Sequence, residues 1–137
     1  MKKTILLITA VAVSLWGIAA CTSTGKAIDA AHNSRNSVDW PGVYRGVIPG
    51  ADSAINVEIT LGEDGTYTLS YQYIDKSDEV FTSSGTFTWD DAGSVITLDV
   101  KDMPPYYQVG ENRLIQLDMA GKKISGDLAD MYILKKV

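Results

Sequence analysis

Cysteine and histidine are almost absent from this sequence, since each occurs once in 137 residues. A single cysteine excludes an internal disulfide, so a folded domain must be stabilised by packing alone. The single histidine, His32, lies among small polar residues, where it lacks the fixed geometry that a Ser/His/Asp triad or a Cys/His pair requires. Zinc sites need three or four His, Cys or carboxylate ligands. We therefore expect no enzymatic activity, no cofactor and no metal site.

Basic side chains are also in the minority, with 12 Lys and Arg against 17 Asp and Glu. Two of the basic residues and none of the acidic ones lie in residues 1–20, so residues 21–137 carry a formal charge of −7. Nucleic-acid binding needs clustered Lys and Arg, and this acidic chain excludes it as a partner class. The same charge argues against electrostatic attachment to anionic lipid.

The longest apolar run, residues 5–16, is shorter than the ~20 residues that span a bilayer. Lys2 and Lys3 precede it, and Ile18-Ala19-Ala20-Cys21 follows it. This order is typical of a secretory signal peptide, which we assign to residues 1–20. The last four residues resemble the bacterial lipobox, in which a lipidated cysteine becomes the first residue of the mature chain. An ordinary signal peptide with a chance cysteine is the alternative. We predict lipidation at Cys21 and attachment to the membrane through that anchor.

The rest of the chain divides by composition. Residues 21–39 are small and polar, and too poor in apolar groups to offset their ordering entropy, which predicts a flexible tether. From Trp40 onward large apolar residues return, so we place one folded domain at residues 40–137.

That domain shows the period of β-strands. Ile55, Val57, Ile59 and Leu61 alternate with polar residues, and residues 66–73 and 81–89 alternate likewise. Turn residues separate these runs, and the pattern predicts shorter strands at 96–100, 106–109, 113–117, 123–126 and 132–135. Short strands at intervals of about ten residues indicate an antiparallel sandwich or barrel.

One phase of these strands is rich in rings. We expect it to face inward, with the side chains of Tyr67, Tyr71, Tyr73, Phe81, Phe87 and Trp89. The lumen of an eight-stranded barrel is either filled by side chains or holds one small ligand. So many rings favour a filled lumen.

Several short motifs resemble one family. The chain reads GVYRGVIPGADSAINVEITLGEDGTYTLS from Gly42 and continues through FTSSGTFTW, YYQVGENRLIQLDMAGKKI and YILKK. This resembles the N-terminal domain of the NlpE lipoproteins, which are linked to copper homeostasis. The positions that match the family pattern are Gly42, Tyr44, Gly46, Pro49, Ala51, Asp52, Asp64-Gly65, Ser83-Ser84-Gly85 and Trp89. The resemblance implies an all-β fold, a small antiparallel lipocalin-like barrel of about eight strands. It also implies an outer-membrane lipoprotein facing the periplasm, in a family linked to envelope stress.

The chain departs from the family pattern at one loop. The family has a Cys-x-x-Cys motif where this sequence has Gly50, Ala51, Asp52 and Ser53. Copper(I) prefers thiolate and thioether ligands, so we do not transfer copper binding to this loop. The larger family members also carry a second, C-terminal barrel domain, and the present sequence continues only through the first.

The remaining candidate ligands have simpler interpretations. Asp75, Asp78 and Glu79 form one acidic group and Asp90-Asp91 another, and both fit solvated turns. The three methionines beyond the signal peptide are widely spaced, which favours packing over copper binding. We therefore expect a non-enzymatic envelope protein that contacts other envelope proteins. The alternative is a lipocalin-like carrier of one small apolar ligand.

Overall fold

The computed structural model describes residues 33–137, and in them the all-β prediction is confirmed. Eight antiparallel strands form a closed barrel in sequence order, and β8 pairs with β1 to close it. The connections between successive strands are short except the one from β7 to β8. The elements are α1 (Ser34–Ser37), β1 (Gly42–Ile48), β2 (Ile55–Leu61), β3 (Thr66–Tyr73), β4 (Phe81–Trp89), β5 (Val95–Leu98), β6 (Tyr106–Gly110), β7 (Arg113–Gln116), a 3₁₀ helix (Ala129–Tyr132) and β8 (Ile133–Lys136). Among these residues no helix is long and apolar enough to cross a bilayer.

The alternation of β2 sets the inside of the barrel. Ile55, Val57, Ile59 and Leu61 are all buried, while the intervening residues face outward. Side chains from each of the other seven strands join them in one contacting core. It includes six residues with no exposed surface, Tyr44, Leu69, Ile96, Tyr107, Leu114 and Leu134. Burial of this apolar face stabilises the domain without a disulfide.

Gly46 lets the barrel close. β1 and β8 pair only at Tyr44↔Lys136 and Arg45↔Lys135, just beyond this glycine. A Cβ atom at position 46 would lie 2.7 Å from Cδ2 of Leu134 and 2.9 Å from the carbonyl oxygen of Ile133. Because real Cβ contacts are longer, a side chain at position 46 would push β8 away from β1.

Residues 33–39 differ from the predicted tether, because they fold against the barrel. The Asn33 side chain caps α1 by accepting a 3.0 Å hydrogen bond from the backbone N–H of Asn36. The Ser34 hydroxyl donates to the carbonyl of Val109 at 2.8 Å, and the Arg35 N–H donates to that of Gly93 at 2.9 Å. These partners are remote in sequence, so local composition does not reveal them.

One end of the barrel is formed by α1 with the β2–β3, β4–β5 and β6–β7 turns, and we call it the closed end. Trp40 packs at this end. Its ring packs edge-on against Phe87 at 5.8 Å and Trp89 at 5.4 Å between centroids. Its carbonyl accepts a 2.6 Å hydrogen bond from the Tyr44 hydroxyl. Burial and the nearby charge of Asp39 raise the pKa of Tyr44 to about 12, so this hydroxyl remains a donor at physiological pH.

One predicted strand does not form. Residues 123–126 make a single bridge, between Leu117 and Lys123, within the long connection from β7 to β8. A turn precedes this bridge, in which Oδ1 of Asp118 accepts hydrogen bonds from the N–H groups of Ala120 and Lys122. The signal peptide at 1–20, Cys21, His32 and the first part of the predicted tether lie outside the described residues.

Candidate functional site

The motif loop that sequence comparison singles out lies at the end of the barrel opposite α1. The β7–β8 connection (residues 117–132) lies at this end too. We give the name loop end to the other three connections here, the β1–β2 loop (residues 49–54), the β3–β4 loop (residues 74–80) and the β5–β6 loop (residues 99–105). This end is therefore where the chain can present irregular, sequence-specific surface.

Within the motif loop the four predicted residues have different environments. Ala51 and Asp52 are exposed, whereas Gly50 and Ser53 are partly buried. A Cβ atom at position 50 would lie 2.3 Å from the backbone carbonyl oxygen of Ser53. The loop backbone thus closes over the position where the family has its first cysteine, and a cysteine there would require the loop to rearrange.

Asp52 connects the motif loop to the β3–β4 loop. Its Oδ2 lies 3.4 Å from Nζ of Lys76, and the Ile74 N–H donates to the carbonyl of Ala54 at 2.9 Å. The ion pair is well exposed and contributes little stability. Together with Ser53 and Tyr73, the residues Ala51, Asp52 and Lys76 line an open pocket of about 390 Å³. The pocket is shallow and mixed in polarity, so it can accept a side chain of a partner.

The metal ligands considered from sequence are not brought together in the described chain. No group of three or more His, Cys, Asp or Glu side chains there is close enough to hold a metal ion. Met103 is packed in the core, while Met119 and Met131 are exposed on the β7–β8 connection. The thioethers of these three residues therefore lie in separate environments.

We expect the unmodified chain to bind no copper(I) stoichiometrically. The two sulfur positions of the family motif are occupied by Gly50 and Ser53, and oxygen ligands hold copper(I) poorly. Titration of copper(I) against a competing chelator measures this, with a two-cysteine peptide as the positive control. Stoichiometric binding by this chain that survives the chelator would contradict the expectation and would implicate the methionines.

Three rings form an exposed aromatic cluster beside the motif loop, defined as Tyr71, Tyr73 and Phe81. Tyr71 and Phe81 are stacked, with centroids 5.2 Å apart and planes at 20°. Tyr73 packs edge-on against both, at 5.9 Å and 6.1 Å. Tyr73 and Phe81 each keep 37% of their surface exposed, so the prediction that these rings fill the lumen is wrong for two of the three.

The exposure of the cluster follows from unequal strand lengths. Tyr71 and Phe81 face each other across the β3–β4 ladder, as the predicted alternation requires. The neighbouring strand β5 ends at Leu98, opposite Phe87, so the barrel wall is incomplete beside Phe81. A side chain that points inward is buried only where neighbouring strands surround it on both sides. Sequence alternation reports the phase and carries no signal for the missing wall.

Below the cluster, Asp99 closes the gap between β4 and β5. Its carboxylate accepts hydrogen bonds from the Tyr67 hydroxyl and from the Thr86 N–H, and it lies over Gly85. The bond from Tyr67, with those from Thr86, lowers the pKa of Asp99, while burial and Asp99 raise the pKa of Tyr67 to about 12. Asp99 is thus a carboxylate and Tyr67 a neutral donor at physiological pH. Asp99 is not among the residues that the sequence patterns predicted, because its partners Tyr67 and Thr86 are remote in sequence.

The barrel interior contains two polar groups with unused hydrogen-bonding capacity. The Tyr107 hydroxyl and Oε1 of Gln116 are buried without a partner among the described residues, and the two residues face each other across the β6–β7 ladder. Burial raises the pKa of Tyr107 well above its usual range, and its phenol is therefore neutral. Apart from these groups the inside is an apolar core.

Charge distinguishes the loop end further. Its three loops hold six acidic residues, Asp52, Asp75, Asp78, Glu79, Asp99 and Asp102, and two basic ones, Lys76 and Lys101. All eight are exposed. The loop end therefore presents an aromatic cluster within a negatively charged rim.

The fold and its loops match known proteins. A family model, the NlpE N-terminal domain, matches residues 44–127. A solved structure described as a "putative lipoprotein" from Shewanella oneidensis is 44% identical, over 76% of this chain and 94% of that one, with a TM-score of 0.70. The Cpx pathway activator NlpE from Escherichia coli is 26% identical over 64% of this chain and 47% of that one, with a TM-score of 0.49. The chain spans about half of the Escherichia coli protein. No curated protein matches the chain.

Proposed function

Because the chain belongs to the NlpE N-terminal domain family, as its motifs predict, we propose that it is a non-enzymatic, lipid-anchored protein of the bacterial envelope that contacts other envelope proteins through its loop end. The anchor is Cys21, and the location is the outer membrane on its periplasmic side. The observation that carries the proposal is the exposed aromatic cluster beside the family's motif loop.

The position of the proposed anchor supports an orientation in which the closed end lies toward the membrane and the loop end away from it. Cys21 precedes Asn33 by twelve residues, and Asn33 caps the helix that packs on the closed end of the barrel. Twelve residues reach at most about 40 Å, so the closed end stays near the membrane. Strands β1 to β4, of seven to nine residues, place the loop end roughly 25 Å farther away. The loop end is therefore the part of the barrel that a partner in the periplasm meets first.

The core favours an interaction protein over the alternative of a carrier. Inward side chains from all eight strands contact one another in one cluster, and many have no exposed surface. A carrier would instead need an open, apolar lumen that its ligand could enter. Accessible apolar surface lies outside the core, and part of it is on the rings at the loop end.

Photo-crosslinking in living cells tests the proposal. A photoreactive phenylalanine analogue is placed at Tyr73 in the loop end or, as the control, at the exposed Asp91 in the β4–β5 turn of the closed end. We expect illumination to give discrete protein adducts from position 73 and none from position 91. Equal adducts from both positions, or none from position 73, would contradict contact through the loop end.

A further inference from the structure

Strand β4 is longer than the neighbour that should cover it. Residues Phe81–Trp89 form β4, and on one side the pairing with β3 runs from Phe81 to Thr86. On the other side the pairing with β5 covers only Phe87, Thr88 and Trp89. One further bond, from the Asp99 N–H to the Thr86 carbonyl at 3.1 Å, ends this second ladder. The first half of β4 is therefore an edge within an otherwise closed barrel.

The hydrogen-bond register shows which backbone groups this edge exposes. The Phe87 N–H donates a hydrogen bond to the carbonyl of Gly65, on the β3 side. The Thr86 carbonyl instead accepts from the Asp99 N–H, on the β5 side. Backbone groups of successive residues alternate between the two sides of a strand, so those of Thr82 and Ser84 point away from β3. No backbone hydrogen bond within residues 33–137 reaches them on that side. Two N–H groups and two carbonyls thus form an unpaired, exposed row.

Side chains around the row define what can pair with it. The aromatic cluster lies on one face of the edge, since Phe81 belongs to it, and Val80, with 56% of its surface exposed, precedes Phe81. Glu79 and Asp78 stand at one end of the row and Asp99 at the other. Burial raises the pKa of Tyr71, and the charges of Tyr73 and of the nearby Asp102 add to this shift. A strand added here would meet apolar rings and negative charge.

We propose that the free edge of β4, at Thr82 and Ser84, takes an extended, basic segment of a partner protein as an added β-strand. This inference rests on the proposed function and identifies the chemistry of the partner. Backbone hydrogen bonds to Thr82 and Ser84 hold the segment, apolar residues at alternate positions pack on the aromatic cluster, and Lys or Arg residues between them face the acidic rim.

Proline substitution at the edge tests the pairing without removing any bond of the fold. Because the Ser84 N–H is unused in the barrel, Ser84→Pro should fold as the native chain does, while it removes the donor and obstructs the edge. Ser84→Ala is the matched control, since it alters the side chain and keeps the N–H. The probe is an acetylated, amidated octapeptide of alternating Val and Lys, titrated into the full chain at low salt.

We expect the native chain and Ser84→Ala to bind the probe with equal affinity, and Ser84→Pro to bind at least tenfold more weakly. Hydrogen exchange of the Thr82 and Ser84 amides should be fast in the free chain and slow in the complex. A peptide with Glu in place of Lys should not bind, and Glu79→Gln should weaken binding of the Lys peptide several-fold. If Ser84→Pro misfolds, a probe methylated on alternate backbone nitrogens replaces it and should fail to bind the native chain.

Three results would overturn the inference: equal binding by Ser84→Pro, equal binding of the N-methylated probe, and slow exchange at Ser84 in the free chain. The last would mean that residues 1–32 or a second copy already pairs with the edge, and sedimentation would separate those two cases. The proposed function is tested apart from this. If crosslinks at position 73 persist in Ser84→Pro, the loop end still contacts a partner and strand addition is rejected. If the chain without Ser84→Pro gives no crosslinks, the contact itself is rejected.

Discussion

Replacing Leu114 by alanine should lower the free energy of unfolding by about 3 kcal/mol. Leu114 has no exposed surface and lies in the single core cluster, so the truncation removes apolar contacts from every side and leaves a cavity. A loss of this size is a large part of the 5–15 kcal/mol by which a domain is usually stable. The melting temperature of the full chain should fall by roughly 15 °C.

Leu128→Ala is the matched control for this change. Leu128 is the same residue type, but half of its surface is exposed on the connection between β7 and β8. We expect its melting temperature to stay within about 3 °C of the native value. Thermal unfolding followed by circular dichroism compares the three proteins. Equal shifts for both variants would show that the side chains of the described core do not determine stability.

Cys21→Ala should abolish lipid attachment. Cys21 carries the only thiol in the chain that the lipobox chemistry can modify with lipid, and each buried methylene of a lipid chain adds about 0.8 kcal/mol of membrane affinity. We expect cells grown with radioactive palmitate to label the native protein and not the variant. The variant should accumulate as an uncleaved precursor or as protein released from the membrane.

Ser23→Ala, two residues away, is the control for this experiment and should be labelled as the native chain is. Gel mobility distinguishes precursor from processed protein, and fractionation distinguishes bound from released protein. If Cys21→Ala is still processed at the same position, labelled and membrane-bound, the lipobox interpretation is wrong. In that case the closed end would lose its assigned orientation toward the membrane, and the loop-end proposal would depend on the crosslinking result alone.

Alternation predicted the strands well wherever burial repeats every second residue. β2 has the predicted bounds, with its four aliphatic residues inside, and β3 and β4 also begin and end where the pattern does. Prediction was weaker in short segments. Residues 123–126 contain alternating residue types but form only an isolated bridge, between Leu117 and Lys123.

Contacts between remote residues explain the other differences. Composition placed residues 33–39 in a tether, yet hydrogen bonds to Gly93 and Val109 and the packing of Trp40 on two rings order them. Each of these partners lies more than forty residues along the chain from the residue that it contacts. A short polar segment thus gains its structure from a surface that exists only after the barrel has closed.

By itself the sequence determined the fold class and the family, because both depend on the order of residues along short stretches of the chain. A period-two domain and the NlpE motifs are readable along the chain, and residues 1–21 predict a signal peptide and a lipobox. The tertiary structure alone decided the candidate site. It showed that Gly50 is required by a carbonyl 2.3 Å from its missing Cβ, and that two of three rings in an inward phase are exposed. It also showed the free edge, since the unequal lengths of β4 and β5 matter only when the two strands lie side by side. Burial and hydrogen-bond satisfaction are properties of neighbours in space, and the neighbours of β4 are set by the closure of the whole barrel.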